Sequence, residues 1–308
     1  MTSLDVGSPH PFADVLTLPR DDEGARVPDP SAHGALHWVP HHDEGLAARL
    51  TSIARWVEQT RPAAIVVDVS VEVALFVRLL GVPVIVMAVP GERTDAPHVL
   101  VHQLADHVVA AWPRDLYEPG WLRPHAAKTT YVGGISRFED RPAPPPDRVN
   151  TALPRLLVLG GAGGSEFDQR TVDAVAARCP DFVWATLGLN GGPAVPDPWS
   201  DICAADVVVT HGGQGCIADV AAARRPAVVL AQQRPFGEQK ATADVLDRHR
   251  LAVVVRDWPS PSAWPDLISR ARSLDPARWG GWQTSGACWR AARAIEHAAD
   301  RCANTLTT

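Results

Sequence analysis

Lysine occurs only at Lys128 and Lys240 in this chain of 308 residues, and methionine and tyrosine are equally scarce. Arginine therefore carries nearly all positive charge, and the net charge is −6. That balance excludes bulk attraction to nucleic acid or anionic membrane as the organising interaction. The cysteines (Cys179, Cys203, Cys216, Cys288 and Cys302) include no CxxC pair. Their odd number and scatter exclude a disulfide framework and a cysteine zinc site, and imply reduced thiols in a cytoplasm. The most apolar region, Ala63 to Pro90, is interrupted by Asp68, Glu72 and Arg78, so it is not a membrane span. The start lacks a charged segment followed by an apolar core, so no signal peptide is expected. No glycine-rich stretch ends in GK[ST], which excludes a Walker loop. The stretch from Gly161 misses the dinucleotide fingerprint because Glu166 stands where the last glycine belongs. No Asp/His spacing suggests a metal site, and no tightly held cofactor is expected.

What the chain does have is a repeated alternation of apolar runs and helical patterns. In the first half the periodicity predicts a helix over 45–60, with Leu46, Leu50, Ile53, Trp56 and Val57 on one face. Strands are expected at 14–18, 63–68, 82–89, 108–111 and 129–132, with helices at 70–80 and 99–105. Strand, helix and strand with short breaks make βαβ units, hence parallel sheets covered by helices. Residues 141–150, RPAPPPDRVN, are too proline-rich for a helix or central strand. We place a linker at 141–154 there, between a domain at 1–140 and a second at 155–308. The second half repeats the alternation with strands at 155–159, 182–187, 207–209, 227–231 and 251–255. Its helices are expected at 167–178, 217–224, 241–248, 264–274 and 288–302.

Two glycine turns in the second half each join a strand to a helix, so both belong on one edge of one sheet. The first contains Gly164 and Ser165. The second is His211-Gly212-Gly213-Gln214-Gly215-Cys216. Glycines there let the chain approach a ligand with no Cβ in the way, and a helix start offers free N–H groups to an anion. The first turn could equally be a tight connection with no ligand, whereas the second is the more specific of the two. Asp219 falls in the first turn of the following helix, where a carboxylate suits the dipole alone and could also accept from ribose hydroxyls. Glu238 and Gln239 close the next strand and loop on the same edge. A carboxylate beside an amide suits the vicinal hydroxyls of a sugar.

HGGQGCIAD followed by RRPAVVLAQQRPFGEQ resembles the donor-binding half of the GT-B glycosyltransferases, family 28, which include the cell-wall N-acetylglucosaminyltransferases. The likeness covers Arg155 to Val255 well and Ala63 to Arg137 more loosely. It implies an α/β GT-B fold of two Rossmann-like domains whose parallel sheets face across a cleft. It also implies a hexosyltransferase using a UDP-sugar such as UDP-N-acetylglucosamine, working without a bound metal. By the resemblance, Gly164, Ser165 and His211 through Cys216 hold the diphosphate, Asp219 the ribose, and Glu238 and Gln239 the sugar. Arg137, in GGISR, matches an arginine that faces the diphosphate. The implied partners are the nucleotide-sugar donor and a small-molecule or lipid-linked acceptor. The implied place is the cytoplasm, peripheral at the inner membrane face.

One departure stands out. The family begins with a strand, a glycine loop and a helix that carry the candidate base, whereas this sequence starts with MTSLDVGSPHPFADV. The first domain is therefore expected to lack its first βα unit. His10 follows Gly7, Ser8 and Pro9 with no strand before it. Asp95 and His98, in the loop after the strand at 82–89, are the other candidate bases. The absent unit also motivates a second reading, a nucleotide-sugar-binding accessory protein without catalysis, with a partner supplying the acceptor side. An epimerase of the same shape is a third.

Overall fold

The protein is described by a computed structural model over residues 1–2, 11–22, 27–144, 153–161, 164, 168–189 and 197–304. In the first half α1 (Glu44–Thr60) is followed by β1 (Ile65–Asp68), α2 (Val71–Leu79), β2 (Val84–Ala88), α3 (Ala96–Leu104), β3 (His107–Ala110) and β4 (Thr129–Tyr131). These strands form a four-stranded sheet in the order β1-β2-β3-β4, parallel throughout. The second half contains β5 (Arg155–Leu159), α4 (Gln169–Ala176), β6 (Val183–Leu187), α5 (Trp199–Ala204), β7 (Val207–His211) and α6 (Gln214–Ala223). It continues with β8 (Ala227–Leu230), α7 (Glu238–Arg248), β9 (Val253–Val255), α8 (Trp264–Ser273) and α9 (Ala287–Asn304). Its five strands are parallel in the order β6-β5-β7-β8-β9.

Both sheets are covered on both faces, as near-continuous apolar strands require. Leu157 and Leu159 of β5 join one core cluster while Leu156 and Val158 join the other. The first sheet divides the same way, with Val84, Val86 and Val108 on one face and Ile85, Val109 and Val132 on the opposite one. This is the period-two alternation of a pleated strand, with a helix layer waiting on each side. The covering layer behind Ile85, Val109 and Val132 is α9, through Ala291, Ala294 and Ala298. The terminal helix, grouped with the second half on sequence grounds, thus returns to the first sheet. Arg290 secures it by donating to the carbonyls of Val132 and Gln283, and Glu139 accepts from the Cys288 N–H.

The expected strand at 14–18 is absent; Thr17 makes only an isolated parallel bridge to Thr2. Among the described residues the segment has no partner strand, and Asp14 turns its carboxylate onto the Val15 N–H. Most of the expected linker, residues 145–152, lies outside the described residues. Among the described residues no helix is long and apolar enough to cross a membrane.

Helix starts follow their caps. Asp43 accepts from the Leu46 N–H to open α1, and Ser70 accepts from the Val73 N–H to open α2. Ser70→Ala should lower stability by about 1 kcal/mol, the usual worth of an N-cap hydroxyl. Urea unfolding followed by tryptophan fluorescence checks this; an unchanged midpoint would deny the cap its role.

Candidate functional site

The carboxyl ends of β5, β7 and β8 lie on one edge of the second sheet, and the chain leaves each of them in a turn. After β7, Gly213 is the N-cap of α6, which begins at Gln214, three residues before the apolar pattern suggested. A Cβ on Gly212 would stand 2.8 Å from the Gln239 carbonyl oxygen, so only glycine fits that approach. The Gln214 side-chain nitrogen is buried with no hydrogen-bond partner among the described residues. An orphaned donor beside a helix N-terminus is a place where an acceptor-rich group gains most. His211, 3% exposed, donates from Nδ1 to the Leu230 carbonyl at 3.3 Å. Burial pushes its pKa down to about 4, so the ring is neutral at physiological pH.

Asp219 sits on α6 at 5% exposure. Its carboxylate accepts from the Ser136 hydroxyl at 2.8 Å and pairs with Arg137 Nε at 3.3 Å. Burial raises its pKa, opposed by those same two partners. Ser136 is itself buried and also accepts from the Phe138 N–H. Asp219 therefore ties the GGISR segment to the helix that follows the glycine turn. Arg137, expected opposite the diphosphate, lies beside Asp219 and over the Phe138 ring at 4.8 Å. Gly164 is in the left-handed region at φ +87, and its carbonyl accepts from Arg234. Ser165 falls outside the described residues, as does His10.

Helix α7 also starts three residues ahead of its apolar pattern, which places Glu238 and Gln239 in its first turn. The two side chains go different ways. Gln239, 6% exposed, uses its Oε1 to accept from Gly212 N–H at 3.2 Å and Gln232 N–H at 3.0 Å. Its amide stitches the turn after β7 to the loop after β8. Glu238 points across to the first half, where Arg93 Nη2 donates to its Oε2 at 3.2 Å.

The opposing lip is the loop after β2. Arg93, 5% exposed, donates to the Pro90 carbonyl, lies over the Phe236 ring at 4.7 Å, and reaches His98 Nε2 at 3.2 Å. His98 in turn contacts Asp95 Oδ1 through Nδ1 at 2.5 Å. The second Asp95 oxygen meets Nε2 of His37 at 2.7 Å. Burial disfavours the Asp95 carboxylate, but hydrogen bonds from His37 and His98 outweigh it and hold the pKa below the usual range. Burial lowers the His98 pKa against the pull of Asp95. His37 is held from behind by Glu72 at the start of α2, which accepts the His37 and Trp38 backbone N–H groups at 2.8 and 3.1 Å.

His37, Asp95 and His98 offer ligand atoms within 4.8 Å of one another, a grouping that could hold a metal ion. Arg93 argues against it. A guanidinium only donates, so His98 Nε2 must be the unprotonated nitrogen and Nδ1 must carry the proton it gives to Asp95. A ring ligating through Nδ1 would instead turn an Nε2–H toward Arg93.

The structure thus gathers Asp95, His98 and Glu238 in one place and Asp219 with Arg137 in another. Sequence reasoning passed over His37 and Ser136. His37 sits in an irregular stretch with no periodicity to mark it, 58 residues from Asp95.

Residues 196–262 match the model of the glycosyltransferase family 28 C-terminal domain. A "UDP-N-acetylglucosamine--N-acetylmuramyl-(pentapeptide) pyrophosphoryl-undecaprenol N-acetylglucosamine transferase" of Rubrobacter xylanophilus is 29% identical over 173 residues, 50% of this chain and 49% of that protein. The chain spans about half the length of the curated relatives it matches. Among solved structures, the glycotransferase of kitacinnamycin superposes with TM-score 0.59 at 19% identity, covering 83% of this chain and 80% of that one. MurG of Acinetobacter baumannii does so with TM-score 0.53 at 16% identity, covering 84% and 80%. The two parallel sheets are those of a GT-B fold, and the motif resemblance to family-28 glycosyltransferases is borne out.

Proposed function

We propose that this family-28-like GT-B chain transfers a sugar from a nucleoside diphosphate sugar, UDP-N-acetylglucosamine or a close analogue, to an acceptor hydroxyl. The observation that carries this reading is the edge of the second sheet. There a glycine turn, the N-terminus of α6 and a buried Gln214 amide nitrogen with no partner among the described residues lie, with Glu238 at the start of α7, within the segment that matches family 28. In this reading the turn from His211 to Cys216 seats the diphosphate, and the helix dipole takes up charge as the nucleoside diphosphate departs. No divalent cation is called on for that task. Glu238 faces the sugar from the second half, with Arg93 locking its orientation. The acceptor hydroxyl enters from the side of the first sheet. The curated relatives' names specify an undecaprenol-linked acceptor. A lipid-linked hydroxyl is therefore the first class to try, with the protein peripheral at the membrane.

Asp219→Ala should weaken binding of UDP-N-acetylglucosamine by about 1–3 kcal/mol, because Ser136 and Arg137 lose their anchor and a polar cluster is left unpaired. Calorimetric titration showing unchanged affinity would remove Asp219 from the donor site. Glu238→Ala should reduce affinity for the UDP-sugar more than for plain UDP. Equal loss for both would contradict its sugar-facing role, and failure of the unaltered protein to bind any nucleoside diphosphate would sink the donor reading as a whole.

A further inference from the structure

We propose that His37 is the base that takes the acceptor proton, with Asp95 as its positioning residue; this rests on the donor reading above. His37 Nε2 lies 2.7 Å from an Asp95 carboxylate oxygen, which can only accept, so the ring proton is on Nε2. The lone pair is then on Nδ1, which makes no hydrogen bond among the described residues, and the side chain is 31% exposed. The neighbours are unsuited to the task. Asp95 already accepts from two imidazoles, and His98 is buried with both ring nitrogens engaged.

The base also stands where the transfer would need it. His37 packs against the Phe236 ring at 5.3 Å between centroids, and His98 does so at 4.6 Å. Phe236 belongs to the loop that leads into Glu238, and it holds φ +61, a conformation a bulky residue adopts only under constraint. The constraint comes from the other half, where Glu92 N–H donates to the Phe236 carbonyl at 2.7 Å. His37, Asp95, His98, Arg93 and Glu238 thus form one hydrogen-bonded chain that crosses the cleft. It couples the proton acceptor on one lip to the sugar-facing carboxylate on the other.

In the step itself, Nδ1 of His37 takes the acceptor's hydroxyl proton while that oxygen bonds the anomeric carbon. The bond from that carbon to the diphosphate oxygen breaks, and the electron pair leaves with the nucleoside diphosphate. Asp95 stabilises the imidazolium, which then releases its proton to solvent. The ionisable groups facing His37 are Glu72, Asp95 and His98, with Arg93 and Glu238 one contact further.

Release of UDP from UDP-N-acetylglucosamine, with water as the acceptor, tests this without knowing the natural acceptor. His37→Gln should keep calorimetric affinity for UDP within about twofold while release falls roughly a hundredfold or more, the range for a lost general base. Asp95→Asn should slow release and move the acid limb of the pH–rate profile to lower pH, a change that a purely structural role would not produce. Release by His37→Gln at the unaltered rate, with UDP still bound, overturns the base and leaves the donor reading standing. Donor bound but no UDP released by the unaltered protein at any pH also overturns it. No binding of UDP or UDP-N-acetylglucosamine removes the donor reading, and this inference with it.

Discussion

Gly91→Val should abolish donor turnover while leaving both sheets folded. Gly91 holds φ +102, and a Cβ there would run into the Phe236 carbonyl and come within 3.0 Å of the Glu238 backbone. The peptide cannot step aside. Its N–H donates to the Tyr117 hydroxyl at 3.3 Å, and its carbonyl accepts from Trp121 Nε1 at 2.8 Å. Backbone strain at positive φ costs about 1–3 kcal/mol. Forcing a side chain into a packed contact costs a similar amount, about 1–3 kcal/mol. The relief available is to push the loop before α7 away from the loop after β2. That breaks the Glu92-to-Phe236 hydrogen bond and parts Arg93 from Glu238, so the chain across the cleft comes apart. Affinity for plain UDP should change little, because the turn after β7 is untouched. Amide hydrogen exchange at Glu92, read beside UDP release, checks the account. A variant with wild-type exchange and turnover would show that the two loops do not depend on this contact.

The second large effect is acid instability between about pH 6.5 and 4. His102, His107 and His211 are each buried, and burial pushes each pKa from 6.5 down to about 4. His102 stacks on Trp121 among other cationic groups, and His107 accepts from Arg301 at Nδ1, which further disfavours its charged form. Above pH 6.5 these rings are neutral in both states and cost nothing. As pH falls, the unfolded chain takes up protons that the folded chain refuses, so stability drops until the folded pKa is passed. A shift of this size is worth at most about 3 kcal/mol per histidine. Three together rival a typical domain's stability of about 5–15 kcal/mol. Asp95, whose pKa is lowered, adds loss on the acid side. Asp68 and Asp219, whose pKa values are raised by burial, offset part of it. Urea unfolding followed through the tryptophans at pH 7.5, 6 and 5 should show a steep decline. A flat profile would mean that the rings protonate in the native state, and His107→Gln should remove about one proton's worth of the slope.

Much of the fold was legible because its signals are local. Alternating apolar runs such as Val207 to Val209 and glycine turns such as Gly212-Gly213 act over a few residues, and they put the strands, their parallel arrangement and the loaded sheet edge within reach of the sequence. Helix starts were harder. α6 and α7 each begin three residues ahead of their apolar faces, because their first turns carry polar side chains, Gln214, Glu238 and Gln239, that break the apolar pattern. The roles of individual polar residues were harder still. The Gln239 amide joins two backbone turns, and Asp219 holds Ser136 of the segment after β4, contacts that no neighbouring residue announces.

The sequence alone determined the α/β class of the molecule and the glycine turn on the edge of its second sheet, since both follow from periodicity and from glycine. Only the tertiary structure decided what faces that edge. Glu238 meets Arg93 across 145 residues, Asp95 meets His37 across 58, and α9 returns to cover the first sheet. Contacts at such separations leave no pattern in neighbouring residues. They exist because two sheets, each closed on its own core, bring the loops at their carboxyl ends to one cleft.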